Sequence, residues 1–182
     1  MFKVGDIVFF PGHGVAVIET SDQKTILDKI VEVFKLTFLY KDQIVWLPAY
    51  SVRQSGLRYL SNEEEIADAL SELLLMPERA FESIDFTPSG WSRRHNRCQA
   101  LMQTGNLRNL MKIYRDFMHI TKQKELSFGE KTLLTLVEDL IVQEIVTVRK
   151  VEKEAIVQIL KAPFIERGFG FGLASKEKTT IV

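Results

Sequence analysis

The sequence predicts an α+β protein of two modules. A small β-barrel occupies residues 1–60, an all-α bundle of about five helices occupies 61–162, and a flexible tail occupies 163–182. Three observations carry this division. Apolar residues recur with a period of two up to Leu60 and with a period near 3.6 beyond it. Turn residues punctuate the first part at short intervals. Charge is also segregated: Ser61 to Asp85 carries Glu63, Glu64, Glu65, Asp68, Glu72, Glu78, Glu82 and Asp85 against a single Arg79. Phe86 to Arg115 has no acidic residue but holds Arg93, Arg94, Arg97, Arg108, Lys112 and Arg115. The zero net charge, 24 basic against 24 acidic side chains, is therefore a cancellation between segments. A polyanion would meet a local positive field around Trp91.

Asp6-Ile7-Val8-Phe9-Phe10 is short and rich in β-branched and aromatic residues, and Pro11-Gly12-His13-Gly14 is dense turn chemistry. A strand resumes at Val15–Ile18. A polar turn is expected around Ser21-Asp22-Gln23-Lys24, then a long, bent strand from Ile30 to Tyr40. After a turn at Lys41-Asp42-Gln43, Ile44-Val45-Trp46-Leu47 ends at Pro48, which has no N–H for a ladder. Four or five short strands within sixty residues favour a closed or partly closed barrel, because closure removes exposed edges.

Beyond Leu60, Ser61-Asn62-Glu63-Glu64 has the S-x-x-E spacing of a capping box. It leads a stripe of Ile66, Ala69, Leu70, Leu73 and Leu74, with the acidic residues on a solvated outer face. Met76 to Ser89, holding Pro77 and Pro88, is expected to connect. A second helix is expected from near Trp91 to Gly105, which suits a left-handed C-cap. A third runs from Asn106 to Ile120, with Leu107, Leu110, Met111, Tyr114 and Phe117 on one side. Ser127-Phe128-Gly129-Glu130 caps the most periodic helix, on which Leu133, Leu136, Val137, Leu140 and Ile141 form a buried face to about Val148. A shorter helix spans Glu152 to Lys161, and the Gly-Phe run after Arg167 is expected to fray.

Several functions are disfavoured. Three scattered histidines and one cysteine assemble no nucleophile, base or metal set, so neither catalysis nor a cofactor is expected. Cys98 reads as a small packing residue. Pro11–Gly14 lacks the Lys-Ser/Thr of a phosphate-binding loop and is not followed by a helix. The longest apolar runs fall far short of the ~20 residues of a membrane span, and the start lacks a signal-peptide core. Cytoplasmic residence is expected.

Chemistry concentrates at Gly90-Trp91-Ser92-Arg93-Arg94-His95-Asn96-Arg97. Small neighbours leave the indole uncovered, and Arg93, Arg94 and Arg97 offer planar forks that suit phosphate. An aromatic side chain beside cations at a helix start can fill a partly unstacked base step in the minor groove. No base-reading helix is evident, so sequence selectivity is expected to be modest.

The order of these segments, with their wording, resembles the CarD/CdnL family of bacterial RNA polymerase-binding transcription regulators. The matching stretches are Phe2-Lys3-Val4-Gly5-Asp6 to Gly14-Val15, Leu47-Pro48 with Gly56-Leu57-Arg58, Trp91-Ser92-Arg93-Arg94, and Leu126-Ser127-Phe128-Gly129-Glu130-Lys131. The resemblance implies a Tudor-like N-terminal barrel that binds the β subunit of RNA polymerase. It also implies a helical module lying on promoter DNA at the upstream edge of the bubble, where a tryptophan wedge stabilises the open complex. Carried over residue by residue, Trp91, Arg93, Arg94 and Arg97 would meet DNA, and Lys24, Val45 and Trp46 would meet polymerase by edge-strand pairing. Lys24 keeps a basic charge common in the family, whereas Trp46 stands where a basic residue can occur. Trp46 shares a strand face with Ile44, and is open between core residue and interface anchor. The expected partners are polymerase and promoter DNA, with the protein a monomer. The competing reading is an adaptor that docks polymerase or a repair partner without touching DNA.

Overall fold

The structure, a computed structural model, describes residues 2–26, 28–77 and 87–168. Strands β1 (Ile7–Phe10), β2 (Gly14–Ile26), β3 (Lys29–Phe38), β4 (Ile44–Pro48) and β5 (Arg58–Tyr59) form one antiparallel sheet in the order β4-β3-β2-β1-β5. A 3₁₀ turn (Ala49–Ser51) and the short helix α1 (Val52–Ser55) carry the chain from β4 to β5. One face of the sheet encloses its own core of Val8, Ala16, Ile18, Phe34, Leu36, Phe38, Leu47 and Leu57.

The polar stretch Ser21–Lys24 is not a turn. Strand β2 runs on to Ile26, with a register shift between Ile18 and Thr20, and the reversal falls just before Lys29, with Asp28 at φ 58°. Beyond the shift the β2–β3 hairpin projects with Ser21 to Thr25 exposed. The outer part of the arm, Gln23–Thr25 against Ile30–Glu32, has no core beneath it and needs no apolar alternation, and polar cross-strand bonds such as Ser21 Oγ to Glu32 Oε1 at 2.6 Å hold it.

Five α-helices follow residue 60 among the described residues: α2 (Glu63–Ser71, extended by a 3₁₀ turn at Glu72–Leu74), α3 (Pro88–Gln103), α4 (Leu107–Gln123), α5 (Phe128–Arg149) and α6 (Lys153–Glu166). The cap of α2 is Asn62, paired with Glu65 in a capping box, one residue on from the expected Ser61. Ser61 is instead buried, and its N–H donates to Glu144 Oε1 at 2.8 Å. Helix α3 begins a turn earlier than expected, with Thr87 as N-cap and Pro88 in its first turn, where a missing N–H costs nothing. Helix α6 runs past Lys161 to Glu166, so the first residues assigned to the tail are helical. Phe164, 0% exposed, anchors them edge-on against Tyr114. The connector residues 78–86 and the Gly-Phe tail from residue 169 lie outside the described residues.

Helices α4 and α5 pack on each other and gather α2, α3 and α6 around one core. The acidic and basic segments meet across that packing. Glu72, 2% exposed, takes Arg115 Nη1 at 3.1 Å and Arg108 Nε at 2.5 Å, and Asp68 takes Arg108 Nη1 at 3.0 Å. The acidic face of α2 is thus partly an internal counter-charge rather than wholly solvated. Arg115, 2% exposed, is shared between Glu72 and Asp116, whose Oδ1 accepts from its Nε at 2.9 Å. Cys98 is buried, and burial together with Asp116 pushes its thiol up to about 12. Among the described residues no helix is long and apolar enough to cross a membrane.

Candidate nucleic-acid and protein interfaces

Trp91 does not stand clear of the bundle. It is the fourth residue of α3, its N–H is already bonded to Thr87 O, and its indole is half-buried against the helical core. The ring lies over Gly129 in the first turn of α5, where an added Cβ would come 3.2 Å from Trp91 Cζ2. His95, one turn on, is tilted against it with centroids 5.3 Å apart. Glycine at 129 makes room for the ring to rest on the helix end. The capping sequence supplies that residue, a link not visible from the spacing alone.

The three arginines after Trp91 separate. Arg93 and Arg97 are exposed. The Arg94 side chain is only 12% exposed, and its Nη2 lies 3.2 Å from Glu130 Oε1. Glu130 is the hub of this corner, since its Oε2 also accepts from Lys124 Nζ at 2.7 Å and from the Ser127 N–H at 2.9 Å. Burial alone would raise the Glu130 carboxyl, but the bonds from Lys124 and Ser127 outweigh it and hold the group below the ordinary carboxylate range. Arg94 thus ties α3 to α5, while Arg93 and Arg97 are more exposed than it is. Arg108 and Arg115 are committed to Glu72 and lie apart from this surface.

Phe128, overlooked in the sequence, is the first residue of α5 and is 87% exposed beside Gly129. The cap at Ser127 forces it outward, because Leu126 before the cap turns into the core. The signal was present: an aromatic residue at the first helical position of a capping box has no core-facing duty. The start of α3 therefore offers a half-buried indole and the start of α5 an exposed phenyl ring, and Arg93 and Arg97 are exposed further along α3.

The second surface lies on the opposite module. Among the described pairings β4 bonds only to β3, so it is an edge of the sheet. Phe38 N–H donates to Gln43 O, which marks Phe38 and Gln43 as a hydrogen-bonded pair. With the unbroken register of β3 and β4, alternation turns the backbone groups of Val45 and Leu47 inward and those of Ile44 and Trp46 outward. Val45 packs its side chain on the barrel core. Trp46 is 42% exposed, and Lys24 Nζ sits 3.3 Å from its ring centroid. Trp46 is thus not a core residue. Its open indole face, the Lys24 ammonium and a bare strand edge coincide.

The modules meet at the residues of two sequence words. Arg58 forks onto Glu144, with Nη1–Oε1 at 2.6 Å and Nη2–Oε2 at 2.8 Å, while its Nε donates to Gly105 O at 2.6 Å. Pro11 fits between Gly56 and Gly105, where an added Cβ would meet Pro11 Cγ at 3.0 Å and 2.8 Å respectively. Phe9 and Val15, on the sheet face away from the barrel core, belong to the helical core.

Comparison with known proteins agrees with this two-part build. Residues 2–61 match the family described as CarD-like/TRCF RID domain, and residues 82–161 match that described as CarD, C-terminal domain. The chain is 22% identical over 156 residues to a Bacillus subtilis (strain 168) protein named "Putative transcription factor YdeB", covering 86% of this chain and 97% of that protein. With both of its modules matched, in order and across most of its length, the chain belongs to the CarD family of transcription regulators.

Proposed function

We propose that the protein bridges RNA polymerase and promoter DNA, without catalysing a reaction, and prolongs the life of the open complex. The observation that carries this reading is the half-buried Trp91 backed by Gly129, on a helix that also exposes Arg93 and Arg97. A ring supported on its inner edge is stiff enough to enter a separated base step, and Phe128 beside it offers a second apolar surface for an unpaired base. Arg93 and Arg97, one turn apart on a shared face of α3, would hold phosphates beside the ring. Arg94 would act through position, by fixing α3 on α5. On the barrel, a strand of the polymerase β subunit would add to the edge of β4, meeting the outward backbone groups of Ile44 and Trp46, with the Lys24–Trp46 pair as anchor.

Two measurements test the halves separately. The DNA half predicts that log affinity for a forked promoter fragment falls linearly with log salt. Replacing both Arg93 and Arg97 by Ala should flatten the slope by about 2, at roughly 0.9 per phosphate contact. An unchanged slope would remove these arginines from the interface. The polymerase half predicts that Trp46→Ala weakens binding to a β-subunit fragment by about thirtyfold, a hot-spot loss of ~2 kcal/mol. DNA binding should be unaffected, and equal binding of the variant and parent in calorimetry would refute it.

A further inference from the structure

We infer that the junction between the modules is a rigid clasp, with Arg58 and Glu144 as its positioning residues, that sets the separation and angle between the β4 edge and Trp91. This inference rests on the bridging function proposed above and extends it: two binding surfaces on one chain stabilise a complex only as far as their spacing matches the assembly.

The clasp joins elements that are distant in sequence. From a single side chain at the start of β5, Arg58 reaches Glu144 on α5, the carbonyl of Gly105 at the α3–α4 corner, and the ring of Phe9 on β1, with Cζ 4.4 Å from its centroid. Glu144 is 0% exposed and also accepts the Ser61 N–H, so it gathers the linker on both sides of Leu60. A bidentate fork fixes direction as well as distance. Pro11 closes the other side. Gly56 and Gly105 adopt φ of 71° and 66°, and a side chain at Gly56 would also approach Gln103 O at 3.3 Å. Further out, Val15 N–H donates to Gln143 Oε1 at 3.4 Å, and Tyr40 and Thr147 hydroxyls lie 2.9 Å apart. Bending at the linker would have to part the half-buried fork, withdraw Pro11 and strip Phe9 and Val15 from the helical core together. The chain is therefore built as a strut, and preorganisation of this kind spares the ordering cost of binding at two ends.

The test uses the full chain with spin labels at Asp42→Cys on the barrel and Asn96→Cys on α3; Cys98 is buried and stays unlabelled. Electron–electron double resonance on this pair should give one narrow distance distribution. Arg58→Ala should broaden it, while affinities for the β-subunit fragment and for forked DNA, each measured alone, stay within twofold of the parent. Open-complex lifetime should nevertheless fall at least tenfold. Should Arg58→Ala fail to fold by circular dichroism, Tyr40→Phe/Gln143→Ala loosens the rim without stranding a buried charge, and the same broadening with a smaller loss of lifetime is expected. An unchanged distribution in the folded variant overturns the clasp. A broadened distribution with an undiminished lifetime overturns its role in positioning. If the parent itself does not prolong the open complex, the bridging function fails instead, while the distance measurement still decides whether the junction is rigid.

Discussion

Replacing Trp91 by Ala should shorten the open-complex lifetime by tenfold to a hundredfold, with polymerase binding retained. The magnitude follows from the ~1–3 kcal/mol that one aromatic contributes by stacking on a base, since each 1.4 kcal/mol is about a factor of ten. The indole also rests on Gly129 and His95, so its removal leaves a gap between α3 and α5. Trp91→Phe separates the effects: it keeps an aromatic edge over Gly129 and should restore much of the lifetime. Lifetimes are read by challenging preformed complexes with competitor DNA. A Trp91→Ala protein that melts normally and sustains the parent lifetime would exclude the wedge.

Glu144→Ala should give a large loss of stability, about 2–3 kcal/mol. The substitution strands the Arg58 guanidinium and the buried Ser61 N–H. Breaking one side of a buried pair ordinarily costs ~3–5 kcal/mol. Arg58 is 25% exposed, however, so water relieves part of that penalty. For a chain of this length the shift in Tm should be about 6–10 °C. Glu144→Gln keeps one acceptor oxygen, able to take the Ser61 N–H and Arg58 Nη1, but sets its NH2 against Arg58 Nη2, so its loss should be smaller than that of Glu144→Ala. Calorimetry on the two variants and the parent decides it, and a shift under about 2 °C for Glu144→Ala would show that the pair is idle.

Local chemistry made much of this legible beforehand. The capping box at Ser127 and the left-handed end at Gly105 are set by a few consecutive residues and stand where the sequence puts them. The alternation of β4 likewise separates Val45 and Leu47 from Ile44 and Trp46, but which pair faces the core is decided only by the packing, which buries Leu47 and leaves Trp46 42% exposed. Errors arose where a distant partner overrides the local signal. Ser61 looks like a cap, but Glu144, 83 residues on, claims its N–H, and the cap passes to Asn62. Ser21–Lys24 has turn composition because all four residues are exposed while the facing strand supplies the apolar Val33 and Phe34, which sequence alone cannot distinguish from a loop. In the candidate site, the consecutive arginines look alike in sequence, and the burial of Arg94 against Glu130, 36 residues on, is set by the packing of α3 on α5.

The two aromatic and branched side chains that β1 and β2 lend to the bundle, Phe9 and Val15, are each 0% exposed. Cutting the chain after residue 60 would bare them side by side, since they are register partners on adjacent strands. Such a fragment would carry an oily scar where the bundle had been, and would self-associate or stick to unrelated surfaces. Isolated barrels are therefore poor bait for finding partners; the intact chain, or a barrel with both scar positions made polar, is the sound reagent.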